Sequence, residues 1–242
     1  MEQNGNVAFT PELEMSPETG QVKKVQRVFN LIILDESGSM ETIAEQAVSG
    51  LNETFQTISA AQKEHQEQKH FISFVTFNGI AIRTIMDRLP VDNGMLRKWT
   101  DYRPDACTPL LDSMGRSLNE LKKHVEEENV VLVTIITDGM ENASREYRGS
   151  DIKRLVADLK EKGWVFAYIG TNQDVDAVAD DLGIQSRMKY DYSGEGVACM
   201  CRVESRSRKS FFDRLSREGS RFLREEDYDY FKTEDDEKTE GE

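Results

Sequence analysis

A chain of 242 residues accommodates one α/β domain of ordinary size with tails and is too short for two large domains without very short connections. Charged residues make up 31% and hydrophobic residues 38%, and the longest strongly apolar stretch, Val130 to Ile136, is far short of the roughly 20 residues that span a bilayer. The formal charge of −14 argues against non-specific nucleic-acid binding, and the N-terminus lacks the basic-then-apolar layout of a signal peptide, so a cytoplasmic protein without membrane or specific nucleic-acid partners is expected.

That charge is unevenly placed. Residues 1–20 hold four acids and no Lys or Arg, residues 225–242 hold ten acids and two lysines, and residues 202–224 hold eight basic residues against three acids. Four regions follow: an N-terminal extension (1–25), an α/β domain (26–192), an Arg-rich helical extension (193–224) and an acidic tail (225–242) expected to be disordered, DYDYF included. Three cysteines, Cys107, Cys199 and Cys201, and three scattered histidines suggest neither a disulfide framework nor a zinc site.

Along the chain, apolar runs of strand length alternate with stretches of helical period, the signature of βαβ units. Val28 to Leu34 reads as a strand buried on both faces, followed by a helix from Glu41 to Gln68 carrying Ile43, Ala47, Leu51, Phe55 and Ile58 on one side. Phe71 to Phe77 is the next strand; Asn78-Gly79 signals a tight hairpin, so Ile80 to Met86 should return as an antiparallel edge. A long connection, Asp87 to Thr108, leads to a helix marked by Leu110, Met114, Leu118 and Leu121. Val130 to Thr137 is a strand, Ile152 to Leu159 lies on a helix stopped by Gly163, and Trp164 to Ile169 is a strand. Val175 to Leu182 is a short helix stopped by Gly183, Arg187 to Tyr190 a last strand, and Phe211, Phe212, Leu215, Phe222 and Leu223 mark a helix packed on the domain. The expected fold is a doubly wound, Rossmann-like, mostly parallel sheet with one antiparallel edge strand and helices on both faces.

In such sheets ligands bind beyond the carboxyl ends of the strands, where the strand order reverses. The first strand ends in Asp35-Glu36-Ser37-Gly38-Ser39 and the fourth in Asp138-Gly139, so topology brings Asp35 and Asp138 to one crevice with several hydroxyls. An all-oxygen donor set suits a hard divalent cation.

DESGSM after the first strand, Thr108 within ACTPLLDS, and TDG after the fourth strand together resemble the von Willebrand factor A (VWA) domain over residues 26–192. The resemblance implies a metal-ion-dependent adhesion site composed of Asp35, Ser37, Ser39, Thr108 and Asp138. It implies Mg²⁺, or Mn²⁺ or Ca²⁺ in its place, with one position left for an acidic side chain of a partner. It further implies an intracellular, prokaryotic-type adaptor or scaffold rather than an enzyme. A regulatory role beside a separate ATPase, in a chelatase-like or tellurite-resistance and stress-type complex, is the alternative, together with a weak metal-dependent phosphohydrolase. The latter lacks support in the residues: an aspartyl-nucleophile phosphatase wants a second carboxylate two residues after Asp35, where Ser37 stands, and no phosphate loop or nucleophile elbow is present.

Met40, Glu41, Glu141, Asn142, Ser144, Arg145 and Arg148 are candidates either for a partner-selecting rim or for a solvated polar loop. His65, His70 and His124, and the Cys199-x-Cys201 pair, read as structural. The Arg-rich helix is expected to be solvated or to pair with the acidic tail rather than to bind an acidic partner or RNA, and the tail is either a solubiliser or a ligand for its own or a neighbour's metal.

Overall fold

The computed structural model describes residues 25–91, 98–138, 140–171, 174–225 and 228–232. The N-terminal extension up to residue 24, Gly139 and the last ten residues lie outside the described residues. Six strands, β1 (Gln26–Asp35), β2 (Gln68–Phe77), β3 (Ile82–Pro90), β4 (Val130–Thr137), β5 (Trp164–Gly170) and β6 (Ser186–Lys189), form one sheet in the order β3-β2-β1-β4-β5-β6. All neighbours are parallel except β3, which returns antiparallel beside β2. The fold is therefore the doubly wound α/β arrangement expected from the alternation of strand-length and helix-period segments.

Alternation along β1 explains the two layers. Val28, Ile32 and Leu34 point to one face and are covered by α1 (Ala44–Glu64) and α5 (Gly194–Glu218), whereas Phe29, Leu31 and Ile33 point to the other, covered by α2 (Leu110–Lys122), α3 (Gly149–Lys160) and α4 (Val175–Leu182). A strand buried on both faces reads as a continuous apolar run because neither side meets water. Among the described residues no helix is long and apolar enough to cross a membrane.

Several element boundaries depart from the sequence reading. The helix expected over 41–68 splits into a 3-10 turn (Gly38–Ile43) and α1, with His65 ending the helix so that β2 starts at Gln68. Asn78-Gly79 opens the expected tight hairpin, closed by the Asn78 N–H donating to the Ala81 carbonyl at 3.0 Å; the Asn78 side chain also accepts the backbone N–H groups of Ile80 and Ala81, both at 3.0 Å, and β3 begins only at Ile82. Gly79 serves close approach, since a Cβ there would stand 2.8 Å from the Cys107 nitrogen. β3 runs on to Pro90 through a register shift against β2, with Arg88 at φ 47° and its N–H bonded to the Ser73 hydroxyl.

The Arg-rich extension is a 25-residue helix starting at Gly194, where the Ser193 hydroxyl accepts the Gly196 N–H. Its charges are not all solvated. Arg208 is 0% exposed and bonds Glu204, Asn30 and Thr134 beneath the helix. Nor is the whole of 225–242 without packed structure: Tyr230 is 2% exposed, donates its hydroxyl to Glu204 and its backbone N–H to Ser186, and joins the core under α5. Apolar contacts of three closely spaced aromatics, Tyr228, Tyr230 and Phe231, outweigh the local acidic composition.

Candidate metal centre

β1 delivers Asp35 to the carboxyl edge of the sheet beside the end of β4, because Leu34 pairs with Ile136 in the parallel register. Asp35 is fully buried. One carboxylate oxygen accepts the Ser37 N–H at 2.8 Å, and the other accepts the Thr137 hydroxyl at 2.6 Å. The chain then turns so that the Ser37 and Ser39 hydroxyls meet at 3.2 Å, and the Ser39 hydroxyl donates to Asp138 Oδ1 at 2.8 Å. Asp138 is itself buried, and its Oδ2 has no hydrogen-bond partner among the described residues. Asp35, Ser37, Ser39 and Asp138 thus form one continuous oxygen cluster, with Ser39 exposed at its mouth.

The long connection lays the segment that carries Thr108 beside the turn after β1. Asp105 N–H donates to the Glu36 carbonyl and Gly38 N–H to the Ala106 carbonyl, each at 3.0 Å, which lays the segment along the DESGS turn. On its other side Thr108 donates its N–H to the Asn142 side chain at 2.9 Å and accepts the Asn142 N–H at 3.2 Å. The segment before α2 is therefore joined to the loop after β1 at Asp105 and Ala106 and to the loop after β4 at Thr108.

Residues outside the five hold this arrangement. Glu36 is buried, is gripped by Arg83 at 2.7 and 2.8 Å, and accepts the Arg103 N–H at 2.6 Å, so the Arg83 charge is neutralised beside the cluster. The Tyr102 hydroxyl donates to the Asp35 carbonyl at 2.5 Å, and that of Tyr192 to the Ser39 carbonyl. Glu141 accepts the N–H groups of Leu111, Ala143 and Ser144 and the Ser144 hydroxyl, while Asp112 takes three N–H groups from Arg145, Glu146 and Tyr147. Of the seven rim candidates, Met40 is buried in the core, and Glu141, Asn142 and Ser144 fasten loops; Glu41, Arg145 and Arg148 remain exposed. Sequence reasoning missed Thr137, Tyr102, Arg83 and Asp112. Only Thr137, adjoining Asp138 in TDG, carried a local signal.

The electrostatics are those of an anionic pocket. Burial pushes the Asp35 carboxyl up to about 6 against the opposing hydrogen bonds of Thr137 and Ser37, and the neighbouring Asp138 charge adds to the rise. Asp138 is raised by burial against its bond from Ser39. Burial and then the charges of Asp35 and Asp138 also push the Tyr102 and Tyr190 hydroxyls up. Two carboxylates and adjacent hydroxyls, with one buried carboxylate oxygen unpartnered, fit a hard cation coordinated by oxygen.

A second group, Glu64, His65 and Asp213, also brings potential ligand atoms within 4.8 Å of one another. There the Lys209 ammonium stands 3.1 Å from Glu64 and 3.6 Å from Asp213, supplying the positive charge and clasping α5 to the end of α1.

No family model matches the chain, and neither does any curated protein. Solved structures do. The D319A mutant of the PilB minor pilin from Streptococcus sanguinis is 14% identical with a TM-score of 0.54, over 83% of this chain and 64% of that one. The pilus adhesin SpaC from Lactobacillus rhamnosus GG, in an open conformation, is 13% identical with a TM-score of 0.53, over 78% of this chain and 30% of that one. The SpRpn10 VWA domain is 13% identical with a TM-score of 0.50, over 71% of this chain and 92% of that domain. This chain thus spans less than two thirds of the pilin and under a third of the adhesin, but nearly all of the isolated domain. With the strand order and the single antiparallel edge, the likeness establishes a VWA-like α/β fold for this chain.

Proposed function

We propose that the chain is a divalent-cation-dependent protein-binding module and not an enzyme. Asp35, Ser37, Ser39, Thr108 and Asp138 hold Mg²⁺, or Mn²⁺ or Ca²⁺ in its place, and a partner presents an Asp or Glu to it. The observation that carries this reading is Asp138 Oδ2, a buried carboxylate oxygen without a partner among the described residues, inside a cluster whose other members all offer oxygen. An unsatisfied buried polar atom costs about 1–3 kcal/mol, more when charged, and a cation removes that cost. Two carboxylates only balance a 2+ ion, and neutral hydroxyls leave it electrophilic, so when bound it supplies an attractive point for one external carboxylate.

Titration calorimetry of the full chain with Mg²⁺, Mn²⁺ and Ca²⁺ tests the cation step, alongside Asp35→Ala and Thr108→Ala. The expected outcome is a single site in the wild type and loss of binding in both variants, with the far-UV circular dichroism of the fold retained. Cation binding unchanged in both variants, or absent from the wild type, would sink the proposal. Partner capture that survives excess chelator would sink the cation dependence of partner binding.

A further inference from the structure

Among the described residues the large hydrophobic side chains left exposed are Ile80, at 71%, and Met140, at 64%. Single exposed apolar residues are ordinary on a protein surface. The position of this pair is not. Ile80 stands in the hairpin after β2 and Met140 in the loop after β4, and β2 and β4 are the two strands that flank β1 and its Asp35 turn. Strand spacing puts the ends of β2 and β4 about 10 Å apart with that turn between them.

Both loops also bear on the segment that carries Thr108. The Ile80 hairpin abuts it so closely that a Cβ on Gly79 would meet the Cys107 nitrogen at 2.8 Å and the Ala106 Cβ at 3.2 Å. The Met140 loop is joined to it by the two hydrogen bonds between Asn142 and Thr108. Each apolar residue is presented from a fastened turn. The Ile80 N–H is held by Asn78, and Met140 is followed directly by Glu141 with its four bonds.

We propose that Ile80 and Met140 are apolar flanks of the cation site, selecting a partner segment whose single Asp or Glu carries apolar side chains on either side. The inference rests on the cation reading above and names the class of partner that site takes. Apolar contacts around a charged pair exclude water and so strengthen the ionic contact at their centre. Residues 21–201, which hold the site, carry 28 acids against 21 basic residues and so repel an acid-rich tract, while one carboxylate between apolar neighbours meets the cation with less repulsion. The same logic disfavours the chain's own C-terminus, since residues 233–242 contain acids, Thr, Lys and Gly but no apolar residue.

The test uses the full chain with saturating Mg²⁺ and two fluorescent peptides of equal charge. Each has one Asp, flanked two residues away on both sides by Leu in one peptide and by Ser in the other, and anisotropy gives the affinities. The expected result is at least about tenfold tighter binding of the Leu-flanked peptide. The Ile80→Ser/Met140→Ser double variant should reduce that affinity to the level of the Ser-flanked peptide while leaving the calorimetric Mg²⁺ affinity unchanged. Equal or undetectable binding of the two peptides by the wild type, or a preference that persists in the double variant, overturns the assignment of the flanks. A Leu preference insensitive to chelator overturns the cation reading instead.

Discussion

Arg208 and His70 belong to one buried polar chain: Tyr230 bonds Glu204, Glu204 pairs with Arg208, Arg208 bonds Asn30, and Asn30 faces His70 Nδ1 at 3.5 Å. Removing one member of a buried pair leaves the other charged and unsatisfied, so Arg208→Ala should cost about 3–5 kcal/mol in urea unfolding. The paired change Arg208→Met/Glu204→Met should recover part of that loss, because no lone charge remains. His70 donates from Nε2 to Gln68 at 3.1 Å, and burial, with the Arg208 and His65 charges, pushes its pKa down to about 3. An unfolded histidine titrates near 6.5, so between these values the unfolded state binds the extra proton and stability drops as pH falls from about 6.5 toward 3. His70→Gln should flatten this part of the profile, read as a smaller difference between the urea midpoints at pH 7.5 and pH 4.5 than in the wild type. Neither role was legible in the sequence, where Arg208 sits among eight basic residues and nothing local distinguishes it.

Glu36 ties separate elements together. Its carboxylate joins the turn after β1 to Arg83 on β3 and to the backbone at Arg103, and the 105–106 segment lies along the same turn. Glu36→Ala should therefore loosen the segment bearing Thr108. The expected outcome is faster hydrogen exchange at the Asp105 and Gly38 amides and a roughly tenfold weaker calorimetric Mg²⁺ affinity, as for other residues that orient ligands without touching a metal. Slow exchange retained at both amides would show that the turn holds its shape unaided. Elements with strong local signals were read correctly: β4 spans the Val130–Thr137 run, and α4 ends at Gly183, whose φ of 73° a glycine accepts without cost. β3 runs past the expected end at Met86 because its irregular pairing with β2 interrupts the two-residue period on which strand recognition depends.

At the scale of the whole molecule, the chain after α5 matters for packing. Tyr230 fills the space under α5 beside Phe211, and Arg214 stacks over Phe222 and Tyr228. Truncation after Arg224 should lower the thermal midpoint by at least about 5 °C, given the cost of losing a buried aromatic, whereas truncation after Lys232 should leave it unchanged. Scanning fluorimetry of the two truncations checks both outcomes. By itself the sequence determined the alternation of strands and helices, the antiparallel edge, and the two strand ends from which Asp35 and Asp138 emerge. These follow from short-range periodicity and from the rule that ligands gather where strand order reverses. Tertiary structure alone decided that the segment bearing Thr108 is held between two loops, that Glu36 is clamped by Arg83, that Arg208 and Tyr230 are interior, and that Ile80 and Met140 stand exposed on the loops after the two strands flanking β1. Each of these depends on contacts between residues far apart in the chain, and the periodicity of one segment carries no information about which distant segment will cover it.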